Sequence, residues 1–358
     1  MKMKVKHGLV LLWLMSVMLV SACGSSAPAA SVGSDGEPAA KQGSDVSKTD
    51  GKTYTMRFAT ATTNDPQTHE MELFKKAAEA KSNGQLKVEL YPASQLGSND
   101  QMLQMLTQGS IQGMVQPTAF LGGFNELMTI VDIPYLWPDV QKATEFLNGE
   151  GGKLFEASLD KQGITALRYY EYGPRTILLK DKVEKMEDLK GKKIRVMGAP
   201  VLVDQINAWG GAGVAMGVPE LFTALQQGTI DGLESAASFF HSGKYYESAK
   251  YLLMEPKGAE ISIFMANTNW LNSLPEHLQK AVKEAAVEIT DEAHQYAKER
   301  DLQSIEEMKK EGVTVIEPGA EFHQQLVEAS KPIISKFEAR VPGSKEIISK
   351  IQAQFKTN

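Results

Sequence analysis

Residues 54–116 run YTMRFATATTNDPQTHEMELFKKAAEAKSNGQLKVELYPASQLGSNDQMLQMLTQGSIQGMVQ, and this stretch decides the fold. Tyr54 to Ala61 alternates in the period of a strand. Asp65-Pro66 then opens a helix, with Asp as N-cap and Pro at the first helical position. Met71, Phe74, Ala77 and Ala78 share one face of that helix, and Gly84 closes it. Leu86 to Tyr91 is the next strand. Ser98 or Asn99 caps a second helix carrying Met102, Met105 and Leu106, which Gly109 ends. Ile111 to Gln116 is a third strand. Strand–helix–strand–helix–strand with short connections predicts an α/β fold, a parallel sheet covered by helices.

Further along, the same grammar returns. Lys193 to Met197 is a strand, Val201 to Trp209 a helix broken by Gly210-Gly211, and Val214 to Met216 a short strand. Pro219 opens a helix with Leu221, Phe222 and Leu225 on one face, Gly228 closes it, and Thr229 to Glu234 is another strand. The last third is helical. From Pro275 to about Lys310, Leu278, Val282, Ala285, Ala286 and Ile289 keep helical spacing, which predicts one long helix spanning two domains or a kinked pair. Glu321 to Arg340 is a further helix.

The opposite end carries an address. Lys2, Lys4 and Lys6 precede an uninterrupted non-ionisable stretch, Gly8 to Val20, too short to cross a ~30 Å hydrocarbon core comfortably as a helix but suited to a secretory signal. It ends in Leu19-Val20-Ser21-Ala22-Cys23, which resembles a bacterial lipobox, and Cys23 is the chain's single cysteine. The expectation is a lipoprotein signal peptide over 1–22, lipidation at Cys23, and a flexible tether over 23–52. That segment is rich in Ser, Ala, Gly, Pro and Asp, with no aromatic residue to bury. Loss of residues 1–22 removes three lysines and no acid, leaving 35 basic against 44 acidic residues, a net charge of −9. Such a chain is an unsuitable partner for nucleic acid.

Catalytic signatures are missing. There is no G-x-S-x-G elbow and no phosphate-cradling P-loop. The run His69-Glu70-Met71-Glu72 is not H-E-x-x-H, and the six histidines are scattered without zinc spacing. Gly210-Gly211-Ala212-Gly213 follows a helix and precedes a strand, the reverse of a dinucleotide loop. The expectation is a binding protein, not an enzyme, with no cofactor and no metal. The residues at the strand ends, where α/β sheets bind ligands, are hydroxyl- and amide-rich: Thr60-Ala61-Thr62-Thr63, Ser98-Asn99, Gln116-Pro117-Thr118, Met197-Gly198-Ala199 and Glu234-Ser235.

Two arginines qualify as anion ligands. Arg195 lies within the strand KKIRVMGAP, and Arg175 within GPRTILL after Tyr169, Tyr170 and Tyr172. A guanidinium grips a carboxylate with a planar fork and stays charged at any working pH. By composition alone both read more simply as solvated surface charges or structural ion pairs.

Six segments in order resemble one family. They are FATAT at 58–62, NGQLKVELYPASQLGSNDQML at 83–103, DIPYLW at 132–137, YGPR at 172–175, EDLKGKKIRVM at 187–197 and PELFTALQQGTIDGLES at 219–235. Together they are similar to the solute receptors of tripartite ATP-independent periplasmic (TRAP) transporters, of the dicarboxylate-receptor type.

The resemblance implies a periplasmic-binding-protein-like fold of two α/β domains with a hinge and a long domain-spanning helix. Domain I would be 54–172 plus 261–300, and domain II 173–260 plus 301–350. It also implies that Arg195 pairs with the ligand carboxylate, with Arg175 near the same group. Ser235 stands where many relatives carry asparagine, and Val218 where some carry an aromatic residue. Thr60, Ala61, Ser98, Gln116 and Thr118 match cleft-facing loop positions, and Glu234 would order the wall behind them. The function implied is an extracytoplasmic, lipid-anchored receptor, in the periplasm or at the cell surface. It would capture a small organic acid by cleft closure and deliver it to the small and large membrane subunits of a TRAP transporter. An extracytoplasmic α/β enzyme acting on a carboxylic acid, or a receptor for a sensor kinase, are the alternatives.

Overall fold

A computed structural model describes residues 51–255 and 257–357. The expected signal peptide over 1–22, Cys23 and nearly all of the expected tether over 23–52 lie outside the described residues. The first lobe opens with β1 (Tyr54–Ala59), α1 (Pro66–Lys81), β2 (Leu86–Tyr91), α2 (Asn99–Thr107) and β3 (Gly113–Pro117). Two 3-10 turns, Thr118–Leu121 and Glu126–Asp132, lead to α3 (Val140–Asn148), α4 (Glu150–Asp160) and β4 (Ile164–Pro174). Then come β5 (Thr176–Leu179), β6 (Lys193–Val196), α5 (Pro200–Ala208), β7 (Ala212–Ala215), α6 (Leu221–Gln226), β8 (Gly232–Ser235), α7 (Ala237–Ser242) and β9 (Tyr251–Leu253). The chain continues through β10 (Ala259–Asn267), α8 (Thr268–Ser273), α9 (Glu276–Glu288), α10 (Thr290–Lys310) and β11 (Thr314–Ile316). It finishes with α11 (Ala320–Ser330), α12 (Pro332–Arg340) and α13 (Ser344–Phe355).

The first sheet has strand order β2-β1-β3-β10-β4, and the second β11-β9-β5-β8-β6-β7. Both are mixed rather than parallel. In the first, β1 is parallel to β2 and β3, but β10 is antiparallel to β3 and β4. In the second, β6 is parallel to β7 and β8, while β5 is antiparallel to β8 and β9. The antiparallel strands are the ones that cross between sheets. β4 and β5 are separated by Arg175 alone, and β9 returns to β10 across residues 254–258. The third crossing is α10, which packs on α1 and β4 of the first sheet and on α7 of the second.

Local chemistry sets these elements. Asp65 caps α1 in a capping box with Thr68, and Pro66 fills its first turn. Met71, Phe74, Ala77 and Ala78 are buried as their spacing predicts, and Phe74 packs on Phe58 and Phe264. The C-cap is Ser82; Gly84 stands two residues beyond with φ +76°. The long helical run is a pair that breaks at Ile289. The helix expected over 321–340 is also two, because Pro332 cannot donate to the helix before it. Among the described residues no helix is long and apolar enough to cross a membrane.

Candidate functional site

β6 carries Arg195 between the buried Ile194 and Val196, flanked in register by Val214 of β7 and Leu233 of β8. Its side chain is fully buried. Nε donates to the Met216 carbonyl at 3.0 Å, and Nη1 reaches the Glu234 carbonyl at 3.4 Å. Nη2 is buried with no partner. The guanidinium carbon lies 5.7 Å from the Phe120 ring centre and 5.8 Å from that of Phe239. Burial lowers its pKa from the ordinary arginine value, with Tyr245 and Glu234 pulling the other way. A buried cation with no carboxylate against it is costly unless an anion arrives to pair with it.

Arg195 faces a narrow cavity where the two lobes meet, with room for about one water. Thr62, Gln67, Asn99, Pro117 and Phe120 line it from the first lobe, and Met197, Val218, Ser235 and Phe239 from the second. Tyr172 and Glu260 close it at the crossing strands. Larger hollows lie on the surface, one of them lined by Arg168, Glu171, His294 and Lys298. Those are open to water, where exposed charges are solvated; the interlobe cavity holds a guanidinium nitrogen that is buried and unpaired among the described residues.

Of the residues the sequence singled out, Arg195, Val218 and Ser235 line this cavity. Arg175 does not. It sits at the β4–β5 crossing, where its own N–H donates to Gly258 and its Nε to the Ala259 carbonyl at 3.0 Å. Nη1 grips both oxygens of Glu234 at 2.9 and 3.1 Å, and Nη2 bonds Asp132. The second arginine is thus occupied by two internal carboxylates instead of facing the ligand gap. Glu234 also takes the buried Lys257 ammonium at 2.7 Å. Burial alone would raise the Glu234 carboxyl, but Arg175 and Lys257 outweigh it and hold it at about 2. Asp132, on the far side of Arg175, is pushed up to about 6 by burial. Glu234 turns its side chain into this cluster and offers the cavity side only its carbonyl.

The first-lobe expectations shift by a residue or a layer. Ser98 is the N-cap of α2 and its hydroxyl accepts from Gln101, so Asn99 takes the wall position. Thr60 is buried behind, bonded to Gln67, with Ala61 beside it and Thr62 on the wall. Gln116 supports Asn99, accepting from its amide at 3.1 Å. Thr118 is buried with a hydroxyl that has no partner, outside the lining. Gln67, Phe120, Phe239 and Glu260 were not foreseen as wall residues. Glu260 accepts from the Ser235 hydroxyl at 2.8 Å and from the Ala236 N–H at 3.1 Å, both on Oε2. Burial pushes its carboxyl up to about 7, against the pull of Arg175.

Residues 58–340 match the family model described as bacterial extracellular solute-binding protein, family 7 (DctP). The chain belongs to this family. It is 29% identical over 256 residues to the C4-dicarboxylate-binding periplasmic protein DctP of Rhodobacter capsulatus, covering 71% of this chain and 75% of that protein. A TRAP periplasmic solute binding protein from Desulfovibrio salexigens, solved with bound orotic acid, superposes with TM-score 0.81 at 30% identity, over 85% of this chain and 99% of that one. One from Shewanella oneidensis, solved with bound succinate, gives 0.79 at 27% identity, over 84% and 99%. Family 7 proteins are extracytoplasmic solute receptors, not enzymes, and the two-lobed α/β architecture is theirs.

Proposed function

We propose that this chain is the receptor of a TRAP transporter and captures a small organic acid, of the kind its relatives carry, by closing two lobes over the carboxylate at Arg195. The observation that carries the reading is the buried, unpartnered Nη2 of Arg195 on the wall of the interlobe cavity. The lobes are assigned as 54–172 plus 261–300 and 173–260 plus 301–350. Val218 and Ser235 shape the second-lobe wall, Asn99 and Thr62 the first. Arg175 and Glu234 act from behind, fixing the strand ends that present Arg195.

Magnitudes require closure. A charge-assisted hydrogen bond contributes ~1.5–3 kcal/mol net, whereas micromolar affinity needs about 8 kcal/mol. One arginine falls short by itself. Contacts from both lobes and exclusion of water supply the rest, so the closed state binds more tightly and ligand shifts the population toward it. The net charge of −9 repels anions only over a Debye length of ~8 Å at physiological salt, which leaves the local guanidinium to decide.

The loaded form docks on the small and large membrane subunits, and lipid on Cys23 with a tether over 23–52 keeps the receptor at the membrane. A thermal-shift panel of organic acids tests the site. Stabilisation by one acid, lost in Arg195→Met and retained in Arg57→Ala, supports it. Stabilisation unaffected by Arg195→Met rejects it, and turnover of the acid rejects the receptor reading.

A further inference from the structure

The hydrogen-bond inventory of the cavity wall is one-sided. The Tyr172 hydroxyl donates to Asp65 at 2.8 Å, the Ser235 hydroxyl to Glu260 at 2.8 Å, and the Thr62 hydroxyl to Gln67 at 3.3 Å. Each of the two wall amides also spends one of its two N–H groups inward, Gln67 on Ser262 at 3.1 Å and Asn99 on Gln116 at 3.1 Å. Arg195 Nη2 is the wall's donor nitrogen with no partner at all among the described residues. Acceptors, by contrast, stand open. Asn99 Oδ1 is buried without a partner. Glu260 uses Oε2 for both of its hydrogen bonds, and its Oε1 has none among the described residues. The other two buried cations nearby, Arg175 and Lys257, point to Glu234 and are not part of the wall.

We propose that the cavity selects an acid with a single carboxylate and a hydrogen-bond-donating polar group, Arg195 holding the carboxylate while Glu260 and Asn99 accept from the donor. The inference rests on the receptor reading above and narrows its ligand to hydroxy- or N–H-bearing monocarboxylates. A second carboxylate entering this space meets acceptors and, as pH rises through about 7, the ionised Glu260 carboxylate, and the lining holds no second cation to receive it. Burying an anion without donors is unfavourable, and two carboxylates at close range cannot both stay ionised. A plain monocarboxylate fits the charge but leaves the Glu260 and Asn99 oxygens unmatched, which sites built to hydrogen-bond their substrate penalise. Phe120 and Phe239, whose ring centres lie 5.7 and 5.8 Å from the guanidinium carbon, give the body of the ligand apolar faces to pack against.

Isothermal titration calorimetry on the full chain at about pH 8, where Glu260 is ionised, tests this with three probe sets: gluconate, lactate and orotate; butyrate and benzoate; succinate and malate. At least one member of the first set is expected to bind about tenfold or more tighter than every member of the other two. In Glu260→Gln the gap to succinate and malate narrows by about tenfold, because the like charge is gone. Succinate or malate binding as tightly as the best member of the first set overturns the proposal, as does an unchanged gap to succinate and malate in Glu260→Gln. The wild-type ranking decides by itself if that variant fails to fold. Binding by no member of any set, or binding indifferent to Arg195→Met, overturns the receptor reading itself, whereas a dicarboxylate preference lost in Arg195→Met overturns only the selectivity.

Discussion

Arg195 meets Glu234 at its backbone carbonyl, 3.4 Å from Nη1, while the Glu234 carboxylate faces away toward Arg175 and Lys257. One glutamate thus separates two arginines of opposite role. Removing Arg195 takes away an uncompensated buried charge, so Arg195→Met is expected to fold with apo stability within about 1 kcal/mol of wild type, or above it. Its ligand-dependent rise in Tm should vanish. Urea denaturation with and without ligand checks both; a loss of several kcal/mol in the apo protein would mean that Arg195 serves the fold instead.

Arg175 predicts the reverse. Arg175→Met strands Glu234 and Asp132 at the crossing between β4 and β5, both fully buried. Breaking one member out of a buried ion network costs about 3–5 kcal/mol. The urea midpoint should fall accordingly whether or not ligand is present. An apo midpoint unchanged by this substitution would show that the cluster does not hold the hinge.

The raised acids give a pH signature. Burial raises the Glu260 carboxyl from its ordinary 4.5 to about 7. Folding therefore favours its protonated form, and the stability it contributes is full below pH 4.5 and lost as pH rises through about 7. Relative to Glu260→Gln, the wild type should lose on the order of 3 kcal/mol between pH 4.5 and 7.5. Glu234, held at about 2, has the opposite sign: its contribution is present above 4.5 and lost as pH falls toward 2. Paired urea titrations at the two pH values measure the difference, and a constant offset between the two proteins would refute the assignment to Glu260.

How far these features could be read in advance depends on what announces them. The repeated strand–helix grammar was legible because Asp65-Pro66, Gly109 and Gly228 punctuate amphipathic runs, and capping chemistry is local. β10 was not, since all nine of its residues are buried and nothing alternates. That blind spot hid the antiparallel crossings and with them Glu260, which follows Gly258-Ala259 with no motif around it. Arg195 was reachable through the I-R-V segment. The displacement from Ser98 to Asn99 came from a hydroxyl serving the helix end, which sequence shows only as a choice between two caps. Phe120 and Phe239 come from separate lobes and meet the guanidinium only once the chain is folded.

Cys23 makes a prediction outside the described residues. In cells, the wild-type chain should fractionate with membranes and carry a mass consistent with a diacylglyceryl-modified cysteine at its mature N-terminus. Cys23→Ser should shift it to the soluble or secreted fraction with ligand affinity unchanged. A wild-type protein already soluble, with an unmodified N-terminus, would remove the anchor while leaving the receptor intact.

Closure has its own test at a glycine. Gly122 follows the turn Thr118–Leu121 of the first lobe and approaches the second lobe just beyond β6. A Cβ placed on it would stand 2.6 Å from the Gly198 carbonyl oxygen and 2.7 Å from the Ala199 Cα, backbone atoms that cannot swing aside. Its φ is −55°, so any residue could adopt the conformation and only the neighbouring lobe forbids a side chain. Gly122→Leu should therefore leave each lobe folded and wedge them apart. The expected outcome is a small change in apo Tm, ligand affinity weaker by about tenfold or more, and no ligand-induced decrease in radius of gyration by small-angle scattering. Wild-type protein should contract when ligand is added. A Gly122→Leu protein that binds and contracts like wild type would show that the lobes do not need this contact to close over Arg195.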